Sequence, residues 1–356
     1  MNDKNFVQGF SIVLCTYNGR SRLMPTLAHL AALALPNDAK AELILVDNAS
    51  TDDTERFATS TWKDLGEPFP LRIMSEARPG KGYAVETGYD AARYSYIVTV
   101  DDDNWLQADY LVTAAELLKQ HPDVGILQGH SVGVFEAGVP ECVRQFESYF
   151  VVGGPIAQPG YFPANDYHVW GAGMVIRTAD WVQLRRLGFA FLTSKVPGKA
   201  AGEDHETAIA LLLLGRKIYY SDKLQYQHFM PAERINWPKL QQSFEVYGYV
   251  LYHLNLYSLV IDSYKKKKAL TKVGVRKYFL QSLRKSFREY TLKQHTAYWI
   301  RPKAEYYQLR LLREYSYCKS FLKLSEHAMQ DVNTLKKWML PLLVHRSETF
   351  EWVEAI

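Results

Sequence analysis

SYIVTVDDDN, residues 95–104, is an apolar, β-branched run that stops at three consecutive acids and an amide. A short continuous apolar stretch reads as a strand buried on both faces. The acids then lie immediately beyond its carboxyl end. Working outward, the same grammar recurs: FSIVLCTY (10–17), ELILVD (42–47) and LRIMSE (71–76) read as strands. Helical patterns separate them, at Ser21–Leu35, in a segment opened by Ser50 with Asp53 three residues on, and from about Gly82 to Arg93. Ser-x-x-Asp is a capping-type start signal. Buried strands alternating with helices predict an α/β domain, a Rossmann-like, mostly parallel sheet flanked by helices. Such sheets place ligands beyond the carboxyl ends of their strands.

Those ends are polar. Tyr17-Asn18-Gly19-Arg20 follows the first strand, Asp47-Asn48-Ala49-Ser50 the second, Arg78-Pro79-Gly80-Lys81-Gly82 the third and Asp101-Asp102-Asp103-Asn104 the fourth. No Gly-x-Gly-x-x-Gly follows the first strand and no Gly-Lys-Ser/Thr loop occurs, which argues against a dinucleotide-binding domain and a P-loop ATPase. Farther on, residues 170–188 read as a glycine turn, a short strand and a helix. Residues 202–220 read as a loop, a helix ending at Gly215 and a strand. Beyond Trp237 the pattern is helical, aromatic and basic. The expected organisation is therefore a catalytic α/β domain over 1–240, with a first half over about 1–130 and a second over about 131–240, and a helical extension over 241–356.

Composition bounds the reading. The chain has 356 residues, 47% hydrophobic and 22% charged, enough to bury one large core with or without an appendage. Cys15, Cys142 and Cys318 match no zinc spacing or disulfide framework, which suits free buried thiols in a reducing cytoplasm. The first ten residues lack the basic-then-apolar pattern of a leader, and no run of about 18 uncharged apolar residues appears. The formal charge of +4 is unevenly spread, since Lys265 to Lys268, Arg276, Lys277, Arg284, Lys285, Arg288, Arg310 and Arg313 crowd the extension. By charge alone such a stretch suits nucleic acid or anionic lipid, whereas a solvated helix face is the ordinary fate of a charge run.

Three clusters carry chemistry. Carboxylates at i and i+2 in extended backbone share a face, so Asp101 and Asp103 can approach one hard cation, magnesium or manganese, beside a substrate phosphate. A solvated acidic turn is the plain alternative. Gly202-Glu203-Asp204-His205-Glu206 precedes an apolar helix; one acid there suits general-base work, while acids at a helix N-terminus also favour the macrodipole. His228 follows a strand and is a candidate metal ligand or a hydrogen-bonded structural histidine. Arg78, Lys81 and Arg20 are candidates to grip phosphate. Trp170, ahead of Gly171, offers a stacking face for a sugar or simply joins the core.

Taken together, CTYN (15–18), VDNASTD (46–52), RPGKG (78–82), VDDDN (100–104), GAGMVIR (171–177) and GEDHE (202–206) resemble the family 2 glycosyltransferases with the GT-A fold, in order and in spacing, over about residues 10–237. The resemblance implies single-displacement, inverting transfer from a nucleotide sugar, commonly a UDP-sugar, to an acceptor hydroxyl. It assigns Thr16, Tyr17, Asn18 and Asp47 to the nucleotide, with Arg78 and Lys81 beside it. Asp101 faces ribose or metal, Asp103 the metal, and Asp102 stays open as a contact because the register can shift by one. Asp204 is the base, with Glu203, Trp170 and Gly171 toward the acceptor, and His228 resembles a histidine that binds metal or diphosphate.

The implied partners are a nucleotide-sugar donor and a saccharide or lipid-linked acceptor, in polysaccharide or glycoconjugate synthesis and without nucleic acid. The implied cofactor is Mg2+ or Mn2+. A cytoplasmic location follows, with the basic, aromatic extension touching the inner membrane face or packing in a homo-oligomer. The rival readings are a nucleotidyltransferase, which needs no Glu203-Asp204 base, and a non-catalytic scaffold of the same fold.

Overall fold

A computed structural model describes residues 6–140, 144, 146–164, 166–196, 198, 201–288 and 304–344; Cys142 lies outside them. The chain separates into two compact units, Met1–Ile235 and Asn236–Ile356.

The first unit is built on a mixed sheet. Its strands are β1 Val7–Thr16, β2 Lys40–Asp47, β3 Leu71–Ser75, β4 Tyr94–Asp101, β5 Asn104–Leu106, β6 Val124–Phe135, β7 Gly160–Tyr161, β8 Val175–Arg177 and β9 Lys217–Met230. Their spatial order is β3-β2-β1-β4-β8-β6-β9-β5, with β7 also on β9. Neighbours from β3 through β4 are parallel. The centre of β1 is closed off on both faces, with Phe10, Ile12, Val13 and Leu14 all fully buried, which is why its sequence is apolar without alternation. Helices α1 Leu23–Ala31, α2 Thr54–Asp64, α3 Lys81–Asp90 and α4 Tyr110–Gln120 carry the crossovers. Four strand carboxyl ends, β1, β2, β3 and β4, thus finish on one side of the sheet.

Beyond β4 the sheet departs from the mostly parallel expectation. β8 runs antiparallel to both β4 and β6, β5 runs antiparallel to β9, and β6 is parallel to β9. Physically, β8 is a three-residue insert whose approach is a glycine turn: the Gly173 N–H donates to the Thr99 carbonyl at 2.9 Å and the Thr99 N–H to that of Met174. Gly173 has φ +67°, and a Cβ there would lie 2.6 Å from the Tyr110 hydroxyl. Two more helices, α5 Thr178–Leu187 and α6 Glu203–Leu213, complete the unit.

The helix expected to open at Ser50 begins instead at Thr54, with Asp53 at its N-cap and no side-chain cap. The Ser50 hydroxyl has another partner: it accepts the Asn18 N–H at 2.9 Å and so ties the loop after β1 to the loop after β2.

The second unit is helical, with α7 Trp237–Lys265, α8 Lys272–Arg288, α9 Ala304–Leu324 and α10 Ala328–Val344. Asn236 caps α7 by accepting the Lys239 N–H at 3.0 Å. Rings fill its core: Tyr252 stacks on Phe279 at 4.9 Å, Phe279 on Phe321 at 5.2 Å, and Tyr257 meets the buried Trp338 edge-on. Among the described residues no helix is long and apolar enough to cross a membrane.

Candidate functional site

The three acids after β4 point to three different cationic partners. Asp102 turns back toward α1. Its Oδ2 accepts from the Thr16 hydroxyl at 2.7 Å and from Arg22 Nη2 at 2.8 Å, and its Oδ1 from Arg22 Nε at 3.2 Å. Its carbonyl oxygen accepts the Thr26 hydroxyl at 2.8 Å. Burial and the neighbouring Asp103 charge push its carboxyl up, against the pull of Arg22 and Thr16. Asp102 is thereby a brace for the turn.

Asp101, at the end of β4, meets Lys81 from the first turn of α3. The Lys81 Nζ lies 2.9 Å from Asp101 Oδ1, 3.0 Å from Oδ2 and 3.2 Å from Glu203 Oε1. One ammonium therefore joins the acidic turn after β4 to the acidic turn that opens α6. Burial disfavours its charge, but Asp101, Glu203 and then Asp204 outweigh that and hold Lys81 well above the usual lysine range.

Asp103 meets β9. Its Oδ2 accepts from Arg234 Nη1 and lies 3.6 Å from His228 Nε2, while Oδ1 accepts from Asn104 at 3.0 Å. The β5–β9 ladder sets this up by pairing Asn104 with His228. Burial opposes its ionisation, but His228 and Arg234 hold its carboxyl below the normal range. The His228 Nδ1 is buried without a hydrogen-bond partner.

These residues fit a divalent ion in part. Asp103 and His228 supply one carboxylate and one imidazole, and the Arg234 guanidinium stands on Asp103 as a cation already. Among the described residues no group of three or more His, Cys, Asp or Glu is placed to hold a metal ion. A two-ligand protein site completed by phosphate oxygens and water is the habit of Mg2+ and Mn2+ rather than of a closed structural site.

Across Lys81 lies the second acidic turn. Gly202, at φ +102°, is the N-cap of α6, a conformation that L side chains seldom adopt. Glu203 is buried between Lys81 and the Ser194 hydroxyl. Glu206 is wholly buried and accepts from the backbone of Leu192 and Thr193 and from the Thr193 hydroxyl, so it pins that loop. Asp204 differs. Its Oδ2 accepts the Gly171 N–H at 3.1 Å, and its Oδ1 accepts the His205 N–H and lies 2.8 Å from His205 Nδ1. Burial raises its carboxyl, but His205 and Lys81 more than offset this, so it stays ionised below the ordinary carboxylate range.

The remaining expected residues fall around this line. Trp170 is half-buried and its backbone is gripped at both N–H and carbonyl by Gln128, each at 2.9 Å. Tyr17 is exposed after β1. Asn18 accepts the Thr51 N–H, and Asp47 accepts that of Ser50. Arg78 forks onto Glu76 with two 2.8 Å bonds and lies over the Tyr83 ring at 4.3 Å. Arg20 pairs with Asp53 at 2.7 Å. Arg22 and Gln128 went unnoticed in the sequence because each acts through a partner far away along the chain: Arg22 meets Asp102 across 80 positions, and Gln128 holds the Trp170 backbone across 42.

A parallel α/β half with an acidic turn at its strand ends, linked through one lysine to a second acidic turn in a mixed half, is a GT-A arrangement. Residues 11–160 match the family model described as Glycosyl transferase family 2. It is 27% identical over 124 residues to the poly-beta-1,6-N-acetyl-D-glucosamine synthase of Staphylococcus epidermidis, 35% of this chain and 29% of that protein. It is 29% identical over 94 residues to the glucans biosynthesis glucosyltransferase H of Cupriavidus pinatubonensis, 26% of this chain and 11% of that one. The matched segments thus span under a third of these curated relatives. Among solved structures it shares its fold with residues 1–349 of S. aureus TarS in complex with UDP-GlcNAc, with TM-score 0.53, 15% identity, 98% of this chain and 95% of that one. It is also similar to the mannosyltransferase PcManGT from Pyrobaculum calidifontis in complex with GDP-Man and Mn2+, with TM-score 0.50, 16% identity, 99% of this chain and 78% of that one.

Proposed function

We propose that the protein is a metal-dependent, inverting glycosyltransferase that moves a sugar from a UDP-sugar to an acceptor hydroxyl in polysaccharide or glycoconjugate synthesis. The observation that supports this reading is Lys81, whose ammonium sits between Asp101 at the end of β4 and Glu203 at the start of α6. It makes the two acidic turns walls of one site. The relatives' names and the ligands of the solved neighbours support a nucleotide-sugar donor, with UDP-N-acetylglucosamine the first to try.

In this reading Thr16, Tyr17, Asn18 and Asp47 line the nucleotide end, and Arg78 and Lys81 lie toward the phosphates. Asp103 and His228, with Asp101 adjacent, would hold Mg2+ or Mn2+, which when bound neutralises charge on the departing diphosphate. Asp204 is the base. Its Oδ2 has one lone pair on the Gly171 N–H and the other available to an acceptor hydroxyl. As the acceptor oxygen bonds to the anomeric carbon, its proton passes to Asp204, and the electron pair of the breaking carbon–oxygen bond leaves with the diphosphate. Attack from the face opposite the leaving group inverts the centre. Trp170 and Gly171 border the acceptor side.

The protein is read as cytoplasmic, acting alone or as a homo-oligomer. The exposed cations Lys265 to Lys268, Lys272, Arg276, Lys277 and Arg284, with no acid between residues 264 and 288, suit the inner membrane face and a lipid-linked acceptor.

The test is UDP release from UDP-N-acetylglucosamine with and without Mn2+. Asp204→Asn is expected to lower turnover at least about 100-fold while calorimetry shows near-normal donor affinity. Lost donor affinity in that variant overturns the division of labour. Metal-independent turnover removes the cation, and pyrophosphate consumption in place of UDP release makes the protein a nucleotidyltransferase.

A further inference from the structure

The geometry points to His205 as a positioning residue for Asp204: it holds one carboxylate oxygen so that the other faces the acceptor, and it couples the base to a surface His–Asp pair. The inference rests on the reading of Asp204 as base and adds a residue and a regulating ionisation to it.

His205 is the third residue of α6. Both its backbone N–H and its Nδ1 lie 2.8 Å from the same oxygen, Oδ1 of Asp204. Two contacts on one atom fix the plane of the carboxylate, and the Gly171 N–H fixes Oδ2 from the other side. Asp204 thus has a single orientation, as general-base geometry requires. Behind it the His168 ring stands edge-on to His205 at 5.7 Å and stacks on Tyr167 at 4.7 Å. His168 Nδ1 lies 2.8 Å from Asp166 Oδ1. An acid–imidazole pair at the site therefore abuts a second such pair nearer solvent.

The groups facing His205 are Asp204 and Glu203 from its own helix, Asp166, Tyr167 and His168 from the loop before Trp170, and Lys81 of α3 through Asp204. Burial lowers the His205 imidazole, but Asp204 first and then Glu203 and Asp166 carry it above the ordinary histidine value. The sign follows. Below its titration the imidazolium weakens Asp204 as a base. As pH rises through it, the imidazole keeps its contact with Oδ1 but loses the charge, and Asp204 becomes the stronger base. Turnover should therefore climb with an ionisation that belongs to His205.

The experiment uses the full chain. The 15N-labelled histidines are titrated by NMR in the wild type, Asp204→Asn and His205→Asn, the last to assign the signal. UDP release from UDP-N-acetylglucosamine, with water as acceptor, is followed against pH in the same proteins and in His205→Ala. The expected results are a His205 midpoint that falls by at least about one pH unit in Asp204→Asn, and a rise in turnover that moves to lower pH in His205→Asn, whose amide nitrogen replaces Nδ1. His205→Ala should lose turnover about tenfold or more with the donor KM unchanged. An unshifted His205 midpoint in Asp204→Asn overturns the coupling. So does a wild-type pH profile in His205→Asn while Asp204→Asn is inactive, and that result leaves the base reading standing. If Asp204→Asn retains turnover, the base reading itself falls and the role of His205 falls with it.

Discussion

At the level of single residues, Asp101, Asp102 and Asp103 show how one run of identical side chains acquires three roles. The chain leaves β4 at Asp101 and turns through Asp102 and Asp103 before β5, so successive carboxylates meet Lys81, Arg22 and Arg234. The run of acids was plain in the sequence; which acid braces the turn was not, because Arg22 and Arg234 reach it from remote segments. Removing Asp102 and removing Asp103 should differ in effect. Asp102→Asn keeps the shape but loses the forked ion pair, and is expected to cost stability while metal-dependent donor binding survives. Asp103→Ala should weaken that binding, read by calorimetry with UDP and Mn2+. A metal dependence untouched by Asp103→Ala would move the coordination elsewhere. Glu76 supplies a prediction in pH: its carboxyl is lowered to about 2, first by the Arg78 fork and further by Thr87. A depressed folded-state pKa stabilises above the unfolded value near 4.3 and is lost as pH falls toward 2. Glu76→Gln should therefore flatten the acid limb of a denaturation series over that window, by a modest amount because the Arg78 side chain is largely exposed.

Among the elements, α3 matters most, since its first residue is the lysine between the two turns. Its seat on the sheet is set by a glycine: a Cβ on Gly88 would come 2.3 Å from Val13 Cγ1 and 3.1 Å from Val46 Cγ2. Gly88→Ala is expected to destabilise the fold by about 1–3 kcal/mol through overpacking and, by lifting α3, to weaken donor binding. Thermal denaturation and calorimetry would both report it, and an unchanged donor affinity would show that Lys81 tolerates the shift. The parallel elements were legible because residues buried on both faces leave unbroken apolar runs. The second half was less so: β8 and β7 are three and two residues long, too short for periodicity to register. The expected Ser50 cap also failed at this level, because a serine two loops away from its partner Asn18 carries the same letter as a helix cap.

For the molecule as a whole, the order of six motifs was enough to anticipate the family, while the contacts between them had to be seen. A sheet whose parallel half ends in an acidic turn and whose mixed half brings α6 alongside unites residues 101 and 203 around one ammonium. The helical unit beyond residue 236 follows from its aromatic content, with rings filling its core and cations left at its surface. The most direct test of the account is anomalous diffraction from crystals soaked with UDP and Mn2+. A manganese peak is expected at coordination distance from an Asp103 oxygen and near His228, with a diphosphate beside it and Asp204 facing the sugar. A peak remote from Asp103, or a nucleotide bound where Lys81 and Asp204 cannot reach its sugar, would contradict it.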